Sequence, residues 1–492
     1  MAFKIPKLEP RKLIAVTSVV GGLAMSANAW ALPSFARQTG WSCATCHTSF
    51  PQLTPMGRMF KLMGFTTTNL QPQQKVEGKL GHTVGLLIPR ISQFSIFVQA
   101  AATHVAGGQQ VLGGYGATRA GGSSVSSNNN IEAPQQVSLF YAGALSPHVG
   151  DFLHITYGGD NGGGFGFDDS SVVHTRAYSL APQNTLIVGE DVNNTPTAMD
   201  VWNTSTDWNS PFYFSSYTAF GAVPTTFIAN TAGANMPLIA PGAYVADIFG
   251  ANRANWLYAD FDVYTNSEGT QAGPNAGGSF APGGSTPAMG ELAGPAPYIR
   301  LAYQHDWSNW NWEVGSYDMW SRVYATPTGN AVNHFNDYDL DSQLQWLNIN
   351  DNDNLTVRMN FIHEDESFAA SQIGTETSVG HGQLNTLDLN ATYWWHDRYA
   401  AQGGFQDATG TANALFWGQG PTNAAGATIW SNNGSPNSSD EWVEASYLPW
   451  WNMRFSVRYT FFNEFRGLKG ATATTPSASK FNTVELLAWF AY

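Results

Sequence analysis

The sequence predicts an all-β chain, a sixteen-stranded outer-membrane β-barrel, preceded by a small helical segment. Three observations predict it. Several stretches alternate apolar and polar residues with a strict period of two. Short turns take turns with long polar connections along the chain. Charged residues make up only 12% of the sequence and aromatics 13%, with 18 Trp, 19 Tyr and 29 Phe. An ordinary soluble domain carries about 25% charged residues. Low charge with many aromatics and 50 Gly fits a membrane barrel better than a soluble enzyme.

The alternation is clearest in Leu355-Thr356-Val357-Arg358-Met359-Asn360-Phe361, where odd positions are apolar and even ones polar. Met453 to Phe461 and Leu387 to Tyr393 repeat it. A strand sends successive side chains to opposite faces. Arg358, Arg458, Asp388 and Asn390 are therefore expected inside the barrel, and their neighbours Val357 and Leu389 against lipid.

Short turns are expected at Ser146–Gly150, Ala181–Asn184, Gly250–Arg253, Asp306–Asn309, Asn350–Asp353, Trp395–Arg398 and Leu448–Asn452. Between them lie long connections such as 104–134, 193–235, 265–296 and 410–440. Short connections on one side and long ones on the other are the bacterial outer-membrane pattern. Seven hairpins, with one strand before them near 91–100 and one after at 482–492, give sixteen strands. The last strand places Leu486, Ala488, Phe490 and Tyr492 on one face and ends on an aromatic. Trp307, Trp310, Trp394, Trp395, Trp450 and Trp451, beside short turns, suit an interfacial girdle.

Three regions follow: residues 1–31, 32–80 and 81–492. In the first, Lys4, Lys7, Arg11 and Lys12 precede an apolar run from Leu13 to Met25, and Ala29-Trp30-Ala31 offers a cleavage site. This is the form of a secretory signal peptide, too short to span a membrane. Removing residues 1–31 takes away four Lys/Arg and one Glu and leaves a net charge of −17. No basic patch points to nucleic acid.

The second region holds the most specific motif, Cys43-Ala44-Thr45-Cys46-His47. C-x-x-C-H is the attachment signature of c-type haem. Two thiols one helical turn apart reach two vinyl groups of one porphyrin, and the next residue, His47, offers the iron its imidazole. These are the only cysteines in 492 residues. A redox C-x-x-C would need a βαβ pattern and a zinc site a second Cys/His pair; neither surrounds the motif. One covalent haem on an exported chain implies attachment in the periplasm. Thr54 then reads as an N-cap and Pro55 as the first residue of a short helix that stops at Gly64. Met56, Met59 and Met63 share one helix face. Their plain reading is packing, for which Met is well suited. Their functional reading makes Met59 or Met63 the distal haem ligand, as in His/Met cytochromes. His82 is a second possible ligand, or simply begins the barrel. The polar run 71–75 reads as a linker. Residues 32–80 hold too little core to fold comfortably alone. They are expected to plug the lumen, with Arg58 and Lys61 against lumenal carboxylates.

Pro33 to His47, followed by Pro51-Gln52-Leu53-Thr54-Pro55-Met56-Gly57-Arg58-Met59-Phe60-Lys61-Leu62, resembles the fused cytochrome-porin family. These are outer-membrane monohaem cytochromes c of iron-oxidising bacteria, and the acidophilic iron oxidisers' version is the more similar. The run Asn193 to Thr204 is similar to a loop of the same barrels. The resemblance implies an oxidoreductase that takes electrons from extracellular Fe(II). It would pass them through a single haem to a periplasmic blue copper protein or cytochrome c. Two other readings are a haem-containing porin or transport channel, and a periplasmic haem enzyme such as a peroxidase. Glu364-Asp365-Glu366 and Asp337, Asp339 and Asp341 are candidate Fe(II) ligands, with a solvated barrel rim as the plainer reading.

Overall fold

A computed structural model of the chain describes residues 33–48, 50, 52–66, 92–107, 129–158, 165–205, 226–228, 238–267, 271–272, 291–325, 329–348, 350, 352–374, 377–415, 417, 434–473 and 475–492. The expected leader, the linker at 71–75 and His82 lie outside the described residues.

Among the described residues, eighteen strands join in one sheet. In chain order they are β1 Phe94–Val105, β2 Asn129–Ala144, β3 Val149–Gly158, β4 Phe165–Phe167, β5 Ser171–Ala181 and β6 Asn184–Asn193. Then come β7 Leu238–Phe249, β8 Asn255–Asn266, β9 Gln271–Ala272, β10 Ala296–Trp307, β11 Trp310–Tyr324 and β12 Val332–Asn348. The last are β13 Asp353–Ser367, β14 His381–Trp395, β15 Tyr399–Gly410, β16 Ser438–Trp450, β17 Met453–Glu464 and β18 Thr483–Ala491. The fragments β4 and β9 pair with each other and hang from the outer part of β3. The other sixteen pair antiparallel with their neighbours in chain order, and β18 returns to pair with β1. Closure leaves no edge strand, so the wall's backbone groups are satisfied within the protein.

The register explains why these residues close this way. Arg358 lies opposite Asn390, and Met359 opposite Leu389, so polar faces polar and apolar faces apolar across β13 and β14. Arg358 and Asn390 are 5% and 6% exposed, whereas Val357 and Leu389 are 37% and 40% exposed. Asp388 and Arg458 are likewise buried. Large apolar side chains such as Leu257, Phe261, Leu301, Val443 and Leu486 form the exposed outer face. A closed, even-stranded antiparallel barrel with an oily exterior and a polar interior is an outer-membrane protein.

All seven short turns fall where expected, and the long connections lie at the other end. Asn252, Ser308, Asn352 and His396 in these turns have positive φ, the conformation that matches strand twist in tight hairpins. The chain's last residue closes the ring, since Ile96 and Tyr492 exchange backbone hydrogen bonds of 2.8 Å.

Two expectations change. Of the six tryptophans, Trp307, Trp395 and Trp450 are exposed on the outside and Trp310 is half-buried beside Trp346. Trp394 instead points inward, because neighbours on a strand cannot share a face. Trp451, just past β16, meets Phe50 of the N-terminal segment. The acidic groups are also not a solvated rim. Asp337, Asp339, Asp341, Glu364 and Glu366 are buried on the inner face, and only Asp365 lies on the outer one. The strand alternation assigns the five buried groups to the lumen.

Candidate cofactor site

Residues 33–66 form three short helices, α1 Pro33–Thr39, α2 Cys43–Cys46 and α3 Pro55–Leu62. Helix α1 is held on the inner wall. Its Ser34 amide donates to Ser95 Oγ at 2.9 Å, and Gln38 Nε2 donates to the Ala142 carbonyl at 2.8 Å. Gly143, at φ +153°, leaves room for Gln38, whose side chain a Cβ would strike at 2.3 Å.

Helix α2 is a single turn carrying Cys43 and Cys46, neither in a disulfide, the first buried and the second half-buried. The His47 amide donates to the Cys43 carbonyl at 2.9 Å and closes the turn. His47 itself is extended and bridges to Leu53, so the chain doubles back. Thr54 then caps α3 as expected: its hydroxyl accepts from the Gly57 amide at 3.2 Å and donates to the Thr45 carbonyl at 2.6 Å. Pro55 is the first helical residue. A Cβ on Gly57 would sit 2.2 Å from the Cys46 carbonyl oxygen. Helix α3 lies directly on the C-x-x-C-H turn, and only glycine permits that approach. The helix stops at Gly64, φ +57°. Its carbonyl oxygen lies so near β3 that a Cβ on Gly150 would meet it at 1.8 Å.

Aromatic rings line this segment. Phe35, Trp41, Phe60 and Phe65 pack together and reach Phe152 of the wall. The His47 ring lies 4.3 Å from that of Phe50, which also meets Trp451 and Trp489. Met59 and Met63 are half-buried against a wall cluster containing Val173, Ile187, Tyr244 and Tyr258. Met56, on the same helix, is 43% exposed.

The two basic residues of α3 do not meet carboxylates, as they were expected to. Arg58 is fully buried, and Nη1 donates to Gln304 Oε1 at 2.6 Å and Asn311 Oδ1 at 3.0 Å. Nη2 donates to Gln345 Oε1 and to the Leu53 carbonyl. Burial pulls its guanidinium down to about 10, against Asp306 and Glu313, so it stays charged at neutral pH. Lys61 Nζ donates to the carbonyls of Thr197 and Asp200 at 3.3 and 2.7 Å, and burial lowers its pKa. Amides and carbonyls satisfy these cations, while the nearby Asp200 and Asp341 carboxylates are engaged with Arg300.

Residues 194–205, noticed in the sequence only through a resemblance, complete the surroundings. Thr195 caps a turn of helix, α4 Pro196–Met199, and the chain then folds inward. The Asp200 carboxylate accepts from the amides of Trp202, Thr204 and Ser205 at 3.0, 2.7 and 2.9 Å. Arg300 lies 3.4 Å from it. Burial would raise this carboxyl, but Arg300 and the backbone donors hold it below its ordinary value. Trp202 is fully buried and donates to Gln304 Oε1 at 2.7 Å. Thr195-Pro196 repeats the Thr54-Pro55 pattern, a signal by which the sequence alone marks this turn. Gln304, Asn311 and Gln345 carry no such mark, since many inward positions of the wall are polar in the same way.

The donor set fits a c-type haem. Two unbridged thiols and an imidazole stand in C-x-x-C-H order on one turn, lined by apolar rings. A redox-active C-x-x-C depends on a depressed thiol. Here burial pushes Cys46 up to about 11, the opposite direction.

No protein-family model matches the chain, and no curated protein does. Among solved structures it is similar to OmpT, an outer-membrane protein of Vibrio cholerae, at 8% identity and TM-score 0.42, covering 82% of this chain and 97% of that one. It is similar to the outer-membrane channel DcaP of Acinetobacter baumannii at 9% identity and TM-score 0.40, covering 81% and 96%. The anion-selective porin from Comamonas acidovorans matches at 11% identity and TM-score 0.38, covering 81% and 98%.

Proposed function

We propose that this chain is a monohaem c-type cytochrome built into an outer-membrane barrel. In this reading it is an oxidoreductase that takes electrons from extracellular Fe(II) and delivers them to a periplasmic blue copper protein or cytochrome c. The observation that carries the proposal is the C-x-x-C-H turn held inside a membrane-spanning wall. Haem held by Cys43, Cys46 and His47 would supply a reversible one-electron couple, with Met59 or Met63 as candidate second axial ligand. Each Fe(II) outside would become Fe(III) as one electron enters, and one periplasmic acceptor would be reduced as it leaves.

The chain's own residues support this by position. The apolar band of such a barrel is about 25 Å tall. A redox group at the periplasmic rim would leave that height without a relay; one within the lumen divides it. Contacts of residues 33–66 reach both sides of the lumen, from Thr175 and Tyr244 to Gln304, Gln345 and Asn354. The segment thus serves in this proposal as a plug as well as a redox carrier.

A second reading has its own support. Barrels of 16–18 strands form porins with an aqueous channel, and transport is then the function, with haem as a structural anchor. Two measurements separate the readings. Cys43→Ala/Cys46→Ala should abolish covalent haem on a denaturing gel. Stopped-flow mixing of the intact protein with Fe(II), at acidic and neutral pH, should reduce the haem. Covalent haem that Fe(II) never reduces would remove the iron reading and leave the porin one.

A further inference from the structure

Three carboxylates on the two strands that flank β7 converge in the lumen, away from the C-x-x-C-H turn. One oxygen from each of Asp191, Asp260 and Asp262 lies within 4.8 Å of the others. The register puts them together. Gly242 of β7 pairs with Asp191 of β6 on one side and Asp262 of β8 on the other. Asp260 lies two residues along β8 on the same face, opposite Tyr244. Asp191 and Asp260 are 5% and 3% exposed, and Asp262 is fully buried.

Their partners leave a charge unanswered. Asn193 Nδ2 donates to Asp191 Oδ1 at 2.8 Å and to Asp262 Oδ1 at 2.9 Å, and Tyr264 donates to Asp262 Oδ2 at 3.3 Å. Among the described residues, no donor reaches Asp191 Oδ2 or Asp260 Oδ1. Arg300, opposite Asp260 in the register, is already spread over Asp200, Glu313, Asp339 and Asp341. The missing side chain of Gly242 lets the Asp262 carboxylate lie against β7, beside Asp191. A Cβ there would sit 1.8 Å from Asp262 Oδ1 and 3.1 Å from the unpartnered Asp191 Oδ2. Buried like charges this close do not all ionise without a compensating cation.

We propose that Asp191, Asp260 and Asp262 form a lumenal binding site for a hard divalent cation of the Mn(II)/Fe(II)/Mg(II) class. Hard cations bind oxygen at about 2.0–2.6 Å, so one ion spans the separation of the three oxygens. A set with no imidazole or thiolate favours such ions over zinc or copper. The site lies toward the long connections from the Leu62–Tyr244 contact, since β6 and β8 run from short turns to long ones. A ferrous donor entering from that end would meet it before reaching residues 33–66. The binding site itself does not depend on the haem reading.

The test uses the full chain in detergent, stripped of metal and titrated with Mn(II), with free Mn(II) counted by electron paramagnetic resonance. The wild type should hold one Mn(II) per chain. Asp260→Asn/Asp262→Asn should bind it at least roughly a hundredfold more weakly, more than the loss of a supporting partner costs. Glu190→Gln, one residue from Asp191 but on the exposed outer face, should bind as the wild type does. A second measurement needs no variant: Tb(III) added to the wild type should luminesce on tyrosine excitation, through Tyr264, and Mn(II) should quench that emission by displacement. Wild-type binding no tighter than in the double variant, or Tb(III) emission that Mn(II) does not displace, would overturn the site and leave protons as the neutralising charge.

Discussion

Arg58 and Trp202 donate to the same side-chain oxygen, Gln304 Oε1, at 2.6 and 2.7 Å. One comes from the N-terminal segment and the other from the inward-folded loop, so a single wall amide locks both. Gln304 Nε2 donates to Asp306 Oδ1 at 2.8 Å, which fixes the amide's orientation. Gln304→Leu should leave both donors short of a buried acceptor, at about 1–3 kcal/mol each. Native-state proteolysis should then cut residues 33–66 faster while the barrel keeps its heat-modifiable migration on gels. Unchanged protection would show that Gln304 is not the joint.

Gly57 makes a second prediction. A methyl group there would lie 2.2 Å from the Cys46 carbonyl, so Gly57→Ala must lift α3 off the C-x-x-C-H turn. Overpacking of this kind costs about 1–3 kcal/mol. The yield of covalent haem per folded barrel should fall. Gly470→Ala, where a Cβ meets nothing within 4 Å, is the control and should leave the yield unchanged.

The inward loop should be held best at mildly acidic pH. Asp200 is held below its ordinary carboxyl range, so its contribution is present above about 3.9 and is lost as the pH falls below that value. Asp169, which accepts from the Thr197 hydroxyl of the same loop, goes the other way. Burial and Asp168 raise it to about 7, so its contribution is present at low pH and is lost as the pH rises through about 7. Hydrogen-exchange protection of the Trp202, Thr204 and Ser205 amides should peak between these limits. Asp169→Asn should flatten the decline that runs from about pH 3.9 up to about 7 and keep the one in acid.

The wall was legible in the sequence because each strand reports its own orientation. Leu355 to Phe361 states which residues face lipid, and its partner Leu387 to Tyr393 states the same independently. Turn positions were legible because a tight hairpin needs particular residues at positive φ. The capping of α3 by Thr54 and its stop at Gly64 were legible for the same local reason. What Arg58 would touch was not. Its partners Gln304, Asn311 and Gln345 come from three distant strands, and nothing local distinguishes an inward amide that binds the segment from one that does not. The Asp191–Asp260–Asp262 group was hidden likewise, since its convergence depends on the register of β6, β7 and β8. The inward fold of residues 200–205 rests on Asp200 gathering three amides, which Thr195-Pro196 only hints at.

Met59 and Met63 divide the axial-ligand question. Both are half-buried against the wall cluster, so either substitution loses packing. Only the true ligand changes the iron. Met59→Leu and Met63→Leu conserve volume and should each cost less than about 1.5 kcal/mol in barrel or segment stability. One of them should convert a six-coordinate low-spin haem spectrum to a high-spin one and lower the reduction potential, as expected when a thioether ligand is lost. If neither does, the sixth ligand is neither Met59 nor Met63.

The last prediction concerns what residues 33–66 close. Their contacts run from β3, β5 and β7 on one side to β10, β12 and β13 on the other. The sixteen-stranded wall does not depend on them, because its hydrogen bonds close within itself, β18 on β1. Deleting residues 33–66 should therefore leave a folded barrel. Gln304, Asn311, Gln345 and Asn354, which hydrogen-bond the segment, are polar and would line water without loss. Single-channel recording in planar bilayers should show a small or absent conductance for the intact chain and a stable open pore for the deletion. An intact chain that already conducts like an open porin would mean that the segment leaves a continuous water path. The lumen would then serve transport, and residues 33–66 would be a lining rather than a closure.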